Sequence, residues 1–207
     1  MNKNNSPYTA ALTGGGFLFE ETLTLLPLLQ AENSEELLQE EKVNNNLLHI
    51  NAETARSRNI HEIKRRYQTM PPSFWNDFKE MSDSDKVIAL FYVILKTYNI
   101  CFDFHVNVTM RKWNSISKSI DKEDLMMEFN EISAKDVFVD SWSDSTKGKV
   151  ASAYLTILRK VGMLTNDNRL HSLVCNNYDY YLAKGEPWFL EACLLQPYEI
   201  DNIKKSM

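Results

Sequence analysis

Apolar residues recur every three or four positions along nearly the whole chain, which is the spacing of an amphipathic helix. This pattern predicts helices over residues 17–30, 34–43, 51–70, 73–81, 84–98, 100–116 and 122–132. Ser34 and Asn51 are the predicted N-caps of the second and third helices. Pro27 predicts a kink or a restart in the first helix, and the pair Pro71 and Pro72 must end the third. The fold is therefore predicted to be all-α or mostly helical.

The helix that ends near Tyr98 is the most apolar of these, with Asp83 or Ser84 as its predicted N-cap. Because it is apolar nearly all round, it is predicted to be the buried centre of the fold. The next predicted helix, over residues 100–116, contains the β-branched stretch Val106 to Thr109, which is less favourable to an α-helix.

Residues 142–174 combine three local signals. Ser143, Asp144 and Ser145 can cap a helix with one packed face, made of Val150, Ala153, Tyr154, Ile157, Leu158 and Val161. Gly162 ends this helix, and a short apolar strand over 163–164, a polar turn over 165–168 and an alternating return strand over 169–174 follow. This order predicts a winged helix with one short β-hairpin wing. An ordinary helix followed by a surface hairpin is the alternative.

Composition narrows the class of protein further. The chain has 207 residues, 43% hydrophobic and 25% charged, and can bury a core, whereas six Gly and six Pro are too few for a many-stranded barrel. Cys101, Cys175 and Cys193 lie far apart, which predicts free thiols rather than disulfides or a zinc site. Met1 to Pro7 is polar, and the longest apolar run, Val87 to Leu95, is about half of a membrane span. A cytoplasmic protein without a membrane partner is expected.

The net charge of −5 conceals a strongly uneven distribution. Residues 51–68 carry five cations against two carboxylates, a balance of +3, and residues 147–169 carry five cations against one, a balance of +4. The rest of the chain has a net charge of −12. The stretch from Glu20 to Glu41 contains seven acidic residues and no basic residue. Segregation of this kind indicates basic surfaces on an acidic protein.

Both basic windows predict contacts with the phosphates of a nucleic acid, because Lys, Arg and short polar side chains share one helix face. In the second window the candidates are Lys147, Lys149, Ser152, Thr156, Arg159, Lys160, Asn168 and Arg169. In the first window they are Thr54, Arg58, His61, Lys64 and Arg65, and the helix and Asn-rich turn before them give a helix-turn-helix order. A solvated helix face is the alternative in each window. Arg56, near the inward side, is a candidate for a structural role.

Residue types suited to catalysis do not form a recognisable pattern. Gly14 to Gly16 lacks the Gly-Lys-Ser/Thr of a P-loop and is predicted to be a close-packing turn. The four histidines and the acidic stretch near Glu123 show no metal-ligand or nuclease spacing, so no enzyme activity, metal or cofactor is expected. Aromatic residues near the C-terminus, Tyr178, Tyr180, Tyr181, Trp188 and Phe189, could stack on bases, but core packing is the preferred interpretation.

Two stretches together resemble a known family. Tyr8-Thr-Ala-Ala-Leu-Thr-Gly-Gly-Gly16 and Trp142-Ser-Asp-Ser-Thr-Lys-Gly-Lys-Val150, with Trp142, Thr146 and Lys149 in Trp-x-x-x-Thr-x-x-Lys spacing, resemble the BrxA family of BREX phage-defence systems. The resemblance extends over nearly the whole chain. It implies a nearly all-helical protein with winged-helix character that binds double-stranded DNA without known catalysis. A similarity of that family to an RNA-binding antitermination fold leaves the type of nucleic acid open.

The sequence thus predicts three units: a helix-turn-helix-like unit over 1–70, central buried helices over 71–135, and a winged-helix-like unit over 136–207. The predicted function is non-catalytic binding of double-stranded DNA within a BREX-type defence system, with other BREX proteins as candidate partners. The alternatives are a protein–protein adaptor whose basic patches are incidental and an RNA-binding, antitermination-like protein.

Overall fold

A computed structural model describes residues 5–206, and its regular elements are helices. In chain order they are a 3₁₀ turn Ala11–Gly14, α1 Phe19–Leu29, α2 Ser34–Asn44, α3 Glu53–Thr69, α4 Pro72–Glu80, α5 Asp83–Thr97, α6 Asn99–Asp103, a π-helix Phe104–Thr109, α7 Met110–Trp113, α8 Lys122–Ser133, α9 Val137–Asp140, α10 Asp144–Lys160, α11 Tyr178–Ala183, α12 Trp188–Ala192 and α13 Pro197–Ser206. The prediction of an all-α fold is confirmed. The predicted polar N-terminus, Met1 to Pro7, lies partly outside the described residues.

Helix α5 is the centre of the core, as its apolar composition predicts. Every residue from Ile88 to Leu95 is buried, and the helix packs against α3, α4 and α6. The prediction of Asp83 or Ser84 as its N-cap was wrong, because the Ser82 side chain accepts the backbone N–H of Asp85 at 3.2 Å.

Helices α1, α2 and α3 enclose a second, smaller apolar cluster, made of Leu18, Leu25, Leu29, Leu38, Ile60 and Ile63. Helix α1 continues through Pro27 to Leu29, so the predicted restart does not occur. Pro27 is exposed and near the C-terminal end of the helix, where its missing N–H removes a single backbone bond. The predicted cap at Asn51 is also wrong, because Ala52 occupies the N-cap position of α3.

The helical stretch from Asn99 to Trp113 widens into a π-helix at its β-branched centre. Residues with branched Cβ atoms crowd the preceding turn of an α-helix, and a π-turn is a known way for a helix to absorb such a local misfit. This turn includes the buried side chains of His105 and Thr109, and both contact Tyr154 of α10.

The segment after α10 forms no strand within the described residues. Isolated antiparallel bridges join Leu164 to Leu170 and Ser119 to Arg169. Beyond these bridges the chain turns away, and the backbone N–H of Leu173 donates to the C-cap residue of α12. The predicted strands over 163–164 and 169–174 were therefore wrong, because each pairing extends over a single bridge.

The C-terminal helices α11, α12 and α13 were not predicted, and their aromatic side chains belong to the main core. The ring of Tyr92 in α5 lies 5.3 Å from that of Tyr181 and 4.9 Å from that of Phe189, centroid to centroid. Both C-terminal rings are buried, so core packing is confirmed for them over stacking on bases.

The main core cluster extends from Leu12 to Ile200 and so includes residues from each predicted unit. The division at 70 and 135 stays a prediction. In residues 5–206 no single helix is long and apolar enough to cross a membrane; α5 and the stretch Asn99–Trp113 reach that threshold only as a pair bent by 108°. The three cysteines are buried free thiols, as predicted.

Candidate nucleic-acid interface

The polar face of α10 is exposed along its full length. Ser143 caps the helix by accepting the backbone N–H of Thr146 at 3.2 Å, and the opposite face is held in the core by Tyr154, Ile157 and Leu158. The exposed residues are the predicted ones: Lys149, Ser152, Thr156 and Lys160, with Arg159 partly exposed. The separation of faces predicted from the 100° period is confirmed.

Lys147 is the exception among the predicted contacts on this helix. It is buried, and its ammonium donates to the Ser133 hydroxyl of α8 at 3.0 Å. Position 147 is three and seven residues before Val150 and Tyr154, so the helical period places it on the packed face. Lys147 therefore lies away from the exposed face of the helix, and its role as a DNA contact stays a prediction.

The turn after α10 is held by the residues that were predicted to bind DNA there. Asn168 has a left-handed backbone (φ 63°), and its side-chain oxygen accepts a hydrogen bond from Arg159 at 2.6 Å. Arg169 is exposed and lies 3.8 Å from the carboxylate of Asp167. A hydrogen bond from the Thr165 hydroxyl lowers the pKa of Asp167, so a negative charge is favoured beside Arg169. Of the residues in this turn, Arg169 is the most accessible cation.

The predicted stripe on α3 is on the surface, with Thr54, Arg58 and His61 exposed and Arg65 partly so. The Nε of Arg58 donates to the carbonyl of Thr54 at 3.1 Å, and Arg65 lies 3.4 Å from the Nε2 of His61. Arg65 is also 3.7 Å from the carboxylate of Glu62. The structure therefore brings the four stripe residues together, and Arg58 is the one cation among them with no carboxylate within 4 Å in the described chain.

Two other cations of the first window have internal partners. Lys64 pairs with Glu35 of α2. Arg56 is buried and donates to the backbone carbonyls of Lys42 at 2.7 Å and Ile50 at 2.6 Å, so it joins the end of α2 to the loop before α3. The structural role suggested for Arg56 is confirmed, and Lys64 is less available for DNA than its charge suggests.

A buried arginine fixes the Gly-rich segment against α3. Arg66 is fully buried and donates to the carbonyls of Gly16 and Phe17 and, at 3.0 Å, to the hydroxyl of Tyr98. Tyr98 in turn donates to Glu62 at 2.8 Å, and burial raises its pKa. Gly16 has φ 66°, a conformation that favours glycine. The predicted close-packing turn is confirmed, and Arg66 is the residue that sequence reasoning missed.

The 3₁₀ turn Ala11–Gly14 packs against both α3 and α10. Thr13 is exposed and lines two neighbouring depressions, one bounded by Arg58 and His61, the other by Lys149 and Ser152. The two predicted basic surfaces are therefore adjacent in the fold. The order of elements along the chain does not predict this adjacency. The turn precedes the start of α3 by about 40 residues and lies much farther from the start of α10.

Lys122 at the start of α8 is a further cation that the sequence did not single out. Its Nζ lies 3.1 Å from the position that a Cβ would take on Gly148 of α10, in the depression that also contains Lys149. A glycine inside a helix is unfavourable, and such a glycine often marks a close approach of another group. The sequence carries this signal, because Gly148 lies inside the predicted helix that became α10.

Residues with catalytic or metal-binding chemistry are dispersed. In the range 5–206 no three His, Cys, Asp or Glu side chains are grouped so that they could hold a metal ion. The carboxylate of Asp103 accepts a hydrogen bond from Tyr8, while His105 is buried between Tyr154 and Ala192. Burial raises the pKa of the Cys175 thiol to about 12, which disfavours its reactive thiolate.

Comparison with known proteins gives consistent results. A family model described as BrxA matches residues 6–177. The chain is 23% identical to the BREX protein BrxA of Escherichia coli O9:H4 (strain HS), over 82% of this chain and 79% of the relative. It is 22% identical to the BREX protein BrxA of Paramagnetospirillum magneticum (strain ATCC 700264 / AMB-1), over 90% and 96%. A crystal structure of an uncharacterized protein from Magnetospirillum magneticum shares the fold, with a TM-score of 0.77 and 22% identity over 91% of this chain and 98% of that one.

Proposed function

The chain belongs to the BrxA family, and from this premise we propose that it is a non-catalytic, double-stranded DNA-binding component of a BREX-type phage-defence system. A cytoplasmic location is part of the proposal, because its ligand is there. Other proteins of the defence system are further candidate partners.

The observation that carries this proposal is the exposed face of α10. Lys149, Ser152, Thr156 and Lys160 are all exposed, while the other side of the same helix is anchored in the core. Ammonium and hydroxyl groups are the usual donors to phosphate oxygens, and a helix held rigidly on one side can present them along a groove. The hydroxyls of Ser152 and Thr156 donate to carbonyls of their own helix, so Lys149 and Lys160 carry the expected phosphate contacts on this face.

The surroundings of α10 support winged-helix character. The helical stretch Asn99–Trp113 is followed by the bridge residue Ser119, by α8 to α10 and by the turn after α10. Residues of this turn pair with each other and with Ser119. Arg169 pairs with Ser119 and the neighbouring Leu170 with Leu164, so the return segment lies between the other two. Helix, bridge, helices and hairpin-like turn is the order of a winged helix, with α10 as the proposed recognition helix and the short α9 between α8 and α10. The bridge at Ser119 lies before the predicted start of this unit at residue 136, and the bounds of the unit stay a prediction.

The chemistry of the surface favours phosphates over base edges. Its charged members are Lys and Arg, whose contacts with the backbone carry no sequence information. We therefore expect weak sequence preference and strong dependence on salt. If about six to ten phosphates are contacted, affinity should fall by about 10³ to 10⁵ between about 50 and 200 mM salt.

Fluorescence anisotropy with labelled duplex DNA and with structured RNA of equal length tests the proposal. The variant Lys149→Glu/Arg169→Glu should bind duplex up to about 60-fold more weakly at about 0.1 M salt, since each of the two lost phosphate contacts is worth up to about eightfold there. The control Lys79→Glu/Lys205→Glu changes the net charge equally at exposed positions of α4 and α13 and should bind like the parent.

Three outcomes would contradict the proposal. Tighter binding of RNA than of duplex DNA would favour the antitermination-like alternative. Binding of neither nucleic acid would favour a protein–protein adaptor. Equal loss of affinity in both double variants would show that net charge, and not the face of α10, governs binding.

A further inference from the structure

The 3₁₀ turn Ala11–Gly14 lies between the two basic helices, and Thr13 borders a depression on each side. We propose that this turn joins α3 and α10 into one continuous phosphate-binding surface, with Arg58 on one side of Thr13 and Lys122 and Lys149 on the other. This inference rests on the proposed binding of DNA. It replaces two separate contact units by one composite surface and adds Lys122 and Gly148 to it.

Lys122 is positioned over α10 by the absence of a side chain at residue 148. The ammonium lies 3.1 Å from the position of a Cβ on Gly148, so an alanine there would shift it by a few tenths of an ångström and a long side chain would displace it further. Gly148 itself is buried although it lies near the start of an otherwise exposed polar face. Within the described chain, no carboxylate lies within 4 Å of the ammonium of Lys122 or Lys149. Both charges are therefore available to an external anion.

Arg58 occupies the corresponding place on α3. Its Cδ lies 3.8 Å from the position of a Cβ on Gly14, which keeps the stem of the side chain close to the turn. Only its Nε has a hydrogen-bond partner among the described residues, the carbonyl of Thr54. The terminal guanidinium nitrogens remain available, in a group whose planar geometry suits phosphate.

The carboxylates near this surface do not cancel its charge. Glu62 is buried, with one oxygen bonded by Tyr98 and the other 3.7 Å from Arg65. Asp144 borders the depression beside Lys149 and is the one exposed carboxylate there. Arg58, Lys122 and Lys149 therefore leave an excess of positive charge around Thr13.

The distribution of these groups favours a polyanion over a small anion. The cations lie in two depressions that share Thr13, so the surface offers more than one position for a phosphate. A duplex backbone carries charges in a regular series and can engage both sides at once. The exposed hydroxyl of Ser145 is an additional donor along the same path, whereas those of Thr13 and Ser152 donate to the carbonyls of Ala10 and Gly148.

The test uses the full chain and a duplex of about one helical turn, with affinity measured by anisotropy as a function of salt. Lys122→Gln and Arg58→Gln should each weaken binding by up to about eightfold at about 0.1 M salt and reduce the salt slope by about 0.9. Gly148→Met, whose long side chain would take the place of the Lys122 ammonium, should weaken binding like Lys122→Gln while its thermal midpoint does not fall, because Met favours the helix over Gly. Lys79→Gln, at an exposed position of α4, is the matched control.

A double variant separates the positioning of Lys122 from a general effect on α10. Gly148→Met combined with Lys122→Gln should bind no more weakly than Lys122→Gln alone, because both changes remove the same contact. Additive losses would overturn the assigned role of Gly148. If Arg58→Gln weakened binding to a duplex of about three turns but not to the short one, the two helices would form separate sites and the composite surface would be refuted. If the parent bound no duplex at all, the proposed function itself would fail.

Discussion

Acidification should destabilise the protein through His105, which is buried as a neutral imidazole beneath α10. Its Nε2 lies 2.7 Å from the carbonyl of Ala192, an acceptor, so this nitrogen carries the proton. Its Nδ1 then accepts from the Tyr154 hydroxyl at 2.8 Å, and that oxygen accepts from Thr109 at 2.7 Å. The ring of Phe91 covers another side of the imidazole. No carboxylate among the described residues pairs with the ring, so a second proton would bring an uncompensated charge into the core.

The loss of stability on acidification follows from the lowered pKa of His105. Burial lowers the pKa of His105 to about 4, against about 6.5 for an exposed histidine, and the bond to Ala192 opposes this only in part. Between these values the unfolded chain binds a proton that the folded chain does not, so stability is full above about pH 6.5 and declines below it. At about pH 5 the loss is about 2 kcal/mol, since each unit is worth about 1.4 kcal/mol. For a chain of this size that lowers the thermal midpoint by roughly 4–8 °C.

Urea unfolding between about pH 7.5 and pH 5 measures this loss, and His105→Gln is the control because it removes the titrating group at the same place. The parent should lose about 2 kcal/mol more than the variant over this range. Imidazole nitrogen shifts in an NMR titration of the folded parent should show a neutral ring at about pH 5. An equal pH dependence in parent and variant, or a charged ring in the folded state, would refute the assignment of His105 as buried and neutral.

Three stability predictions concern the rest of the frame, each measured by urea unfolding at neutral pH. Arg66→Met should cost about 3–5 kcal/mol, because three buried acceptors lose a charged donor, and a loss below about 1 kcal/mol would contradict this. Leu158→Ala should cost about 2–5 kcal/mol on the packed face of α10, whereas Lys149→Glu/Arg169→Glu should stay within about 0.5 kcal/mol of the parent. Gly16→Ala should cost about 1–2 kcal/mol from its left-handed backbone alone, since no atom within 4 Å obstructs a Cβ; an unchanged midpoint would argue against that conformation.

Periodicity predicted the parts of the fold that depend on local sequence. The predicted burial of Val150, Tyr154 and Leu158 on the packed face of α10 is confirmed, because an α-helix repeats every 3.6 residues whatever surrounds it. The apolar helix α5 was correctly predicted to be central for the same reason, since no face of it could be left in water. The cap of α5 shifted to Ser82 because neighbouring Ser and Asp side chains could serve equally well, whereas α3 begins after Ala52, which has no side chain that can cap it.

Charge counting failed where a cation has an internal partner. Lys147 and Lys64 raise the charge of their windows, yet one donates to Ser133 and the other pairs with Glu35. Those partners lie on other helices, and only the tertiary fold brings them close. Long Lys and Arg stems can also pack against apolar surface while the charged end finds a partner, as the buried Arg56 does with the end of α2.

The hairpin was misjudged for a related reason. The alternation after Gly162 predicts two paired strands, but the return segment also pairs with Ser119, some 50 residues earlier in the chain. The partner at Ser119 carries no local β signal. Pairing of such distant segments is set by how α8 and α10 pack together, and a single sequence does not reveal it.

Helix α3 acts on the Gly-rich turn from both of its faces, and this connects the core of the protein to its candidate surface. On the inner face Arg66 holds the carbonyls of Gly16 and Phe17, and on the outer face the stem of Arg58 lies against Gly14. The turn can therefore not move independently of α3. Because it also packs against α10, the separation between the cations of the two helices is fixed when the chain folds.

Fixed spacing changes what a small number of cations can do. Cations on independently moving units must be ordered at the moment of binding, which reduces affinity, whereas cations ordered by the fold avoid that cost. The chain has a net charge of −5, so attraction of DNA to the molecule as a whole is not available to it. Binding would have to come from a few cations concentrated at one place, and the fold holds the helices that carry them, α3, α8 and α10, around Thr13. The buried bonds of Arg66 are therefore as relevant to the proposed function as the exposed charges of Arg58 and Lys149.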